Sequence, residues 1–162
     1  GNSCAGLHLF TGTRTSCMKQ KFINAHMEVA KVYAKLSSAV RLQVGCVIVK
    51  DNRIVSIGYN GMPAGWDNVC EYEVMGDLGS HEKELKTKPE VLHAETNAIA
   101  KLARSSESGE DATMFITHAP CMDCAKLIHQ AGISKVYFGE EYRDSKGTAF
   151  LHKCGVEVKK HD

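Results

Sequence analysis

The sequence predicts an α/β domain, a mixed sheet of about five strands with helices on both faces, and three observations carry that prediction. Segments with helical spacing of apolar residues alternate with short β-rich runs, in the order α-β-β-α-β-α-β-α-β. Two of the β-rich runs are joined by only Asp51-Asn52, a hairpin signature. The 162 residues contain no linker, internal repeat or low-complexity segment, and that length encloses one hydrophobic core.

The opening "GNSCAGLHLFTGTRTSC" is rich in Gly, Ser and Thr, has no period and begins with Gly. Residues 1–17 are therefore expected to be disordered or a remnant of expression, and residues 18–162 to form the single domain. From Met18 to Leu36, Phe22, Val29, Tyr33 and Leu36 recur at helical spacing, with Ile23, Met27, Ala30 and Ala34 beside them. "VGCVIVK" and "RIVSIGY" form the hairpin. The next 30 or so residues, from Asn60 to Val91, carry Gly, Pro and charge with little periodicity, and read as one long functional or mobile loop. "LHAETNAIAKLAR" is a helix with Ala98, Ile99, Leu102 and Ala103 as its apolar stripe, and "ATMFIT" is a strand. "CMDCAKLIHQAG" is a helix ended by Gly132 in a left-handed cap. "SKVYFG" is a strand, "DSKGTAFLHKCG" a weaker helix, and "VEVKK" a short charged edge strand.

Composition narrows the function. Apolar residues make up 43% and charged residues 24%, as in soluble globular proteins. The balance of 20 basic and 19 acidic residues leaves +1, so no global field recruits nucleic acid or an anionic membrane. No apolar run approaches the roughly 18 residues of a membrane span, and no signal-peptide pattern is present. The expectation is a cytoplasmic protein with neither a membrane nor a nucleic-acid partner. Seven cysteines, at 4, 17, 46, 70, 121, 124 and 154, are scattered along the chain, and the isolated ones read as small buried hydrophobes.

"APCMDC" (119–124) holds the only C-x-x-C. Cys121 and Cys124 share a helix face, near a start at Pro120 where the helix dipole favours thiolates. The pair could be a thioredoxin-like dithiol or half of a metal site. A thioredoxin-like site needs a cis-proline loop further along, and Pro120 is the last of three prolines, after Pro63 and Pro89. His93, in "HAETNAIA", begins the other well-formed helix. Two helices starting at one end of a sheet bring His93, Cys121 and Cys124 together as three ligands, the mark of a catalytic zinc with an open fourth position. Glu95, two residues after His93, is off that residue's face and suits proton transfer better than ligation. H-x-E followed by P-C-x-x-C is the signature of zinc nucleobase deaminases.

With these motifs, residues 20–155 resemble the deoxycytidylate deaminases of the cytidine deaminase superfamily, through "GYNGMPAG" (58–65), "HAETNAIA" (93–100) and "APCMDCAKLIHQAGISKVYF" (119–138). The resemblance implies a cytidine-deaminase-like three-layer α-β-α sandwich and zinc-dependent hydrolysis of dCMP to dUMP and ammonia, supplying thymidylate synthesis. It implies a homohexamer activated by dCTP and inhibited by dTTP, with Mg²⁺ accompanying the triphosphate. Glu95 would be the proton carrier, and the backbone near Ala94 and Ala119 would read the base edge. Asn60 would contact the sugar, or serve as a turn residue tolerating a left-handed conformation. Gly58, Tyr59, Asn60 and Gly61 would belong to the regulatory nucleotide site.

For the substrate phosphate, Arg41, Arg104 and Arg143 are candidates, each balanced against a plain surface role. Arg104 lies three turns along the His93 helix, too far to meet a nucleotide in its own subunit, and fits a subunit interface better. Tyr142 can stack on the base or belong to the rim, and His118 can border the pocket. Cys70 and His81 suggest a second zinc, but four ligands do not assemble: Val91 precedes Leu92 and Cys46 reads as buried. The alternatives are a deaminase acting on dCTP or another base, and a non-catalytic zinc-containing nucleotide-binding subunit.

Overall fold

A computed structural model describes residues 17–76 and 81–162; residues 1–16 of the opening segment lie outside the described residues. Eleven elements follow in order: α1 (Gln20–Ala34), β1 (Gly45–Lys50), β2 (Arg53–Tyr59), β3 (Glu71–Met75), β4 (Lys83–Thr87), α2 (Ala94–Ala103), β5 (Thr113–His118), α3 (Met122–Gln130), β6 (Lys135–Glu140), α4 (Lys146–Lys153) and β7 (Glu157–Lys160). The main sheet has the order β2-β1-β5-β6-β7. Its first three strands are antiparallel, whereas β5, β6 and β7 run parallel. The sheet is therefore mixed and five-stranded, as expected.

Period-two alternation divides the core between the faces of the sheet. Val47, Val49, Phe115 and Tyr137 point to α1, where Met27 and Ala30 are fully buried. Cys46, Ile48, Met114, Ile116, Val136 and Phe138 point to α2, α3 and α4. The hairpin turn has Asp51 and Asn52 at φ 51° and 57°, a pair of positive values that matches the twist of two-residue hairpins. Gly132 takes φ 82° and closes α3.

Several expectations shift. The stripe of α1 is centred on Ile23, Met27, Ala30 and Ala34, while Phe22, Val29 and Tyr33 are half-buried and Leu36 is exposed. In α2 the buried set is Ala94, Glu95, Ala98 and Leu102; Ile99 is half-buried and Ala103 exposed. Cys17 is exposed and disulfide-bonded, not a buried hydrophobe. The long insert is not all loop, because β3 and β4 pair antiparallel within it, from Glu71↔Thr87 to Met75↔Lys83.

Close packing at two glycines sets the helices that matter. A Cβ on Gly58 would lie 2.3 Å from the Ala94 carbonyl oxygen and 2.7 Å from the Ala98 nitrogen. One on Gly147 would lie 2.1 Å from the Pro120 carbonyl oxygen. The bare backbones let α2 lie directly on β2 and α4 press against the start of α3.

Candidate active site

The carboxyl ends of β2, β5 and β6 and the amino end of β1 meet at one edge of the sheet. Helices α2 and α3 both begin there. Open α/β sheets place ligands at this edge, and a cavity of about 820 Å³ occupies it, lined by His93, Glu95, Cys121, Asn60, Arg41 and Tyr142 among others.

His93 is the N-cap of α2 and Cys121 the N-cap of α3, with Cys124 one turn further on. Pro120 thus precedes the cap instead of opening the helix. His93 Nδ1 lies 3.3 Å from Cys124 Sγ and 3.7 Å from Cys121 Sγ. All three donor atoms fall within 4.8 Å of one another, and among the described residues this is the one such group of His, Cys, Asp and Glu. A tetrahedral zinc with ordinary Zn–S and Zn–N bonds has ligand–ligand edges of roughly 3.5–3.8 Å. The donor set therefore fits zinc in chemistry and spacing, with three protein donors where a closed structural site would have four.

The electrostatics agree. Hydrogen bonding from Cys124, and then from His93, pulls the Cys121 thiol down to about 4. Its hydrogen bond to Cys121, followed by burial, pushes Cys124 up. Hydrogen bonding to Cys121 raises the His93 imidazole. Two helix N-termini aim their positive ends at this cluster, which favours the thiolate. Thr96 Oγ1 lies 3.8 Å from Cys124 Sγ and supports it from α2.

Glu95 is 4% exposed, and burial raises its carboxyl above the ordinary range. It lines the cavity beside the cluster without being one of its donors. A buried carboxyl raised in this way, beside the donor cluster, is suited to exchanging a proton with a ligand held in the cavity.

The other expected residues divide. Ala94, Ala119, His118 and Tyr142 line the cavity, and Arg143 sits over the Tyr142 ring at 5.5 Å. Burial lowers the His118 imidazole. The Ala119 N–H already donates to the Glu140 carbonyl at 2.8 Å, so only its carbonyl can face a ligand. The Ala94 N–H is in the first turn of α2 and has no partner within that helix.

Asn60 is not left-handed; among the described residues the positive-φ residues other than glycine are Asp51, Asn52 and Asp111. Its side chain accepts from Val44 N at 2.8 Å and donates to the Leu42 carbonyl at 2.7 Å. Of Gly58, Tyr59, Asn60 and Gly61, Asn60 alone lines the cavity. Tyr59 accepts from Asn97, Gly61 bridges to Leu92, and Gly58 seats α2. Arg104 is exposed at the far end of α2, away from the cavity. Cys70 is buried with its Sγ 3.5 Å from Ser38 Oγ, and His81 is exposed and joins no metal-binding group among the described residues.

Sequence reasoning missed Glu71 and Thr87, which also line the cavity. The signal for the strand of Glu71 was the Tyr72–Val74 alternation in "EYEVM", obscured by charge on both sides, and "KELKT", which ends on Thr87, carries no such alternation.

The model of the cytidine and deoxycytidylate deaminase zinc-binding region matches residues 20–140. The deoxycytidylate deaminase of Homo sapiens is 43% identical over 141 residues, covering 83% of this chain and 76% of that protein. That of enterobacteria phage T4 is 35% identical over 166 residues, covering 82% and 86%. The crystal structure of dCMP deaminase from cyanophage S-TIM5 in complex with dCMP and dUMP superposes with a TM-score of 0.79 at 42% identity, covering 90% of this chain and 100% of that one.

Proposed function

This chain belongs to the cytidine and deoxycytidylate deaminase family, and on that premise we propose that it hydrolyses dCMP to dUMP and ammonia. One observation carries the reading: a buried Glu95, its carboxyl raised by burial, stands beside a three-donor His-Cys-Cys cluster on the wall of a nucleotide-sized cavity. A zinc-containing subunit that only bound nucleotide would have no use for such a carboxyl. The relatives named above, including a structure holding dCMP and dUMP, support the choice of substrate.

His93, Cys121 and Cys124 would hold Zn²⁺, which supplies Lewis-acid activation of water for attack on C4 of the cytosine ring. Glu95 takes a proton from the attacking water and delivers it to N3 of the base, then helps the C4 amino group leave as ammonia. The Ala94 amide and the Ala119 carbonyl face the polar edge of the base. Tyr142 closes over the ring, and Asn60, braced between Leu42 and Val44, meets the sugar. The finer assignments extend the same reading: a cytoplasmic homohexamer, dCTP with Mg²⁺ as activator, dTTP as inhibitor, Arg104 at the subunit interface, and Gly58 to Gly61 near the regulatory nucleotide. Residues 18–162 form the catalytic domain.

Ammonia release from cytidine, dCMP and dCTP, each with and without dCTP or dTTP as effector, tests the proposal. The expected result is fastest turnover of dCMP, stimulated by dCTP and suppressed by dTTP. Faster turnover of cytidine or dCTP than of dCMP would overturn the substrate assignment.

A further inference from the structure

The segment between α1 and β1 is tied down at more points than a connecting loop needs. Ser38 Oγ lies 3.5 Å from Cys70 Sγ at the foot of the β3–β4 hairpin. One oxygen of Glu71, Oε1, accepts the backbone N–H groups of both Val40 (2.8 Å) and Arg41 (3.1 Å). Arg41 Nη1 donates to Thr87 Oγ1 at 3.2 Å. From the main sheet, Asn60 holds Leu42 and Val44.

Glu71 and Thr87 are direct partners across the hairpin. One cross-strand pair therefore grips the backbone of Arg41 through one strand and its side chain through the other. Glu71 is 8% exposed, so its carboxylate is a buried acceptor for amides and not a surface counter-ion. No ion pair among the described residues engages Arg41, which lines the cavity and uses one guanidinium nitrogen on Thr87, leaving donors to spare.

The lining supplied by the start of α3 and by the segment leading from β6 into α4 differs. Arg143 and Lys146 lie there among Glu141, Asp144 and Asp123, and Asp144 Oδ1 already accepts the Lys146 N–H. Three carboxylates beside two cations make a poor seat for a dianion. On the Arg41 side the carboxylate that lines the cavity, Glu71, is buried and turned to the Val40 and Arg41 amides, which leaves the Arg41 guanidinium free of an ion-pair partner.

We propose that the β3–β4 hairpin is a clamp in which Glu71 and Thr87, as positioning residues, hold Arg41 ready to bind the 5′-phosphate of the substrate; this rests on the reading of that substrate as a nucleoside monophosphate. Ordering the arginine in advance removes part of the entropy cost of forming a charged, bidentate contact. The clamp thereby confers selectivity for the phosphorylated substrate and leaves the chemistry at C4 to the other residues.

The experiment compares kcat/KM for dCMP with kcat/KM for deoxycytidine, which presents the same base and sugar without the phosphate. In the wild type the ratio favours dCMP. Arg41→Met lowers that ratio by roughly 10- to 100-fold, the range for losing one hydrogen bond between charged groups. Thr87→Val, at an exposed position that tolerates the change, lowers it by a smaller factor through KM, and Thr87→Ser restores it. Glu71→Ala lowers it as well, and Glu71→Gln, which keeps a carbonyl acceptor, recovers most of the loss. A purely structural defect would depress both substrates in proportion and leave the ratio unmoved. If the wild type favours dCMP but Arg41→Met and Thr87→Val leave the ratio unchanged, the clamp is wrong and the substrate reading stands. If the wild type shows no preference for dCMP, the substrate reading fails and the clamp falls with it.

Discussion

The α2–α3 corner and the β3–β4 hairpin border the same cavity but are built by opposite means. The corner is core: Ala94, Glu95, Cys124 and Ala125 are buried, and two glycine contacts press the flanking elements together. The hairpin is a ribbon on the surface, with every residue of β4 exposed and Glu71 the one buried residue of β3. The corner places the reacting groups through packing, which leaves little room to move. The hairpin places Arg41 through a few hydrogen bonds, each worth about 1 kcal/mol. On the proposed reading, chemistry sits on the rigid side and substrate choice on the adjustable side.

The comparison breaks most visibly at Glu95. Glu95→Gln preserves shape and the metal donors but cannot shuttle a proton, so deamination should fall by about 10²- to 10⁴-fold. Zinc content measured on the same sample should be unchanged. Activity near that of the wild type with zinc bound would remove Glu95 from the mechanism.

A smaller effect is expected from loosening the corner's packing. Gly58→Ala places a methyl group against the backbone of α2, 2.3 Å from the Ala94 oxygen. Overpacking of this kind costs about 1–3 kcal/mol. The thermal midpoint should drop, and activity should drop with it because α2 carries both His93 and Glu95. A variant as stable as the wild type would mean that α2 can shift away from β2 without strain.

The smallest effect belongs to the hairpin's outer surface. Tyr72 and Met75 are 44% and 74% exposed. Changing either to Ser should alter stability by no more than about 0.5 kcal/mol in chemical denaturation. A larger loss would show that this face packs against a surface of its own and is more than a ribbon.

The same contrast explains what could be read in advance. The corner was legible because its chemistry is local: H-x-E and P-C-x-x-C each lie within one helical turn, and an amphipathic period announces the helices that carry them. The hairpin was not, since a ribbon without a buried face shows little hydrophobic alternation. The left-handed turn offered as the alternative for Asn60 failed for a related reason, because a Tyr-Asn-Gly stretch suggests a turn residue whichever segments its side chain ties together. Ala119 could be placed beside the site from its neighbours, but that its N–H already serves Glu140 follows from the β5–β6 register.

Sequence alone determined the order of the elements of the main sheet and its helices, the Asp51-Asn52 turn and the residue types of the His-Cys-Cys cluster, because periodicity, turn chemistry and ligand spacing act over a few neighbouring residues. Tertiary structure decided that His93 Nδ1 reaches both sulfurs across 28 and 31 residues of chain. It also decided that Gly58 is a packing contact, and that Glu71 and Thr87 meet to hold Arg41. Those outcomes depend on strand register and on which surfaces touch, and both are settled only when distant segments fold together.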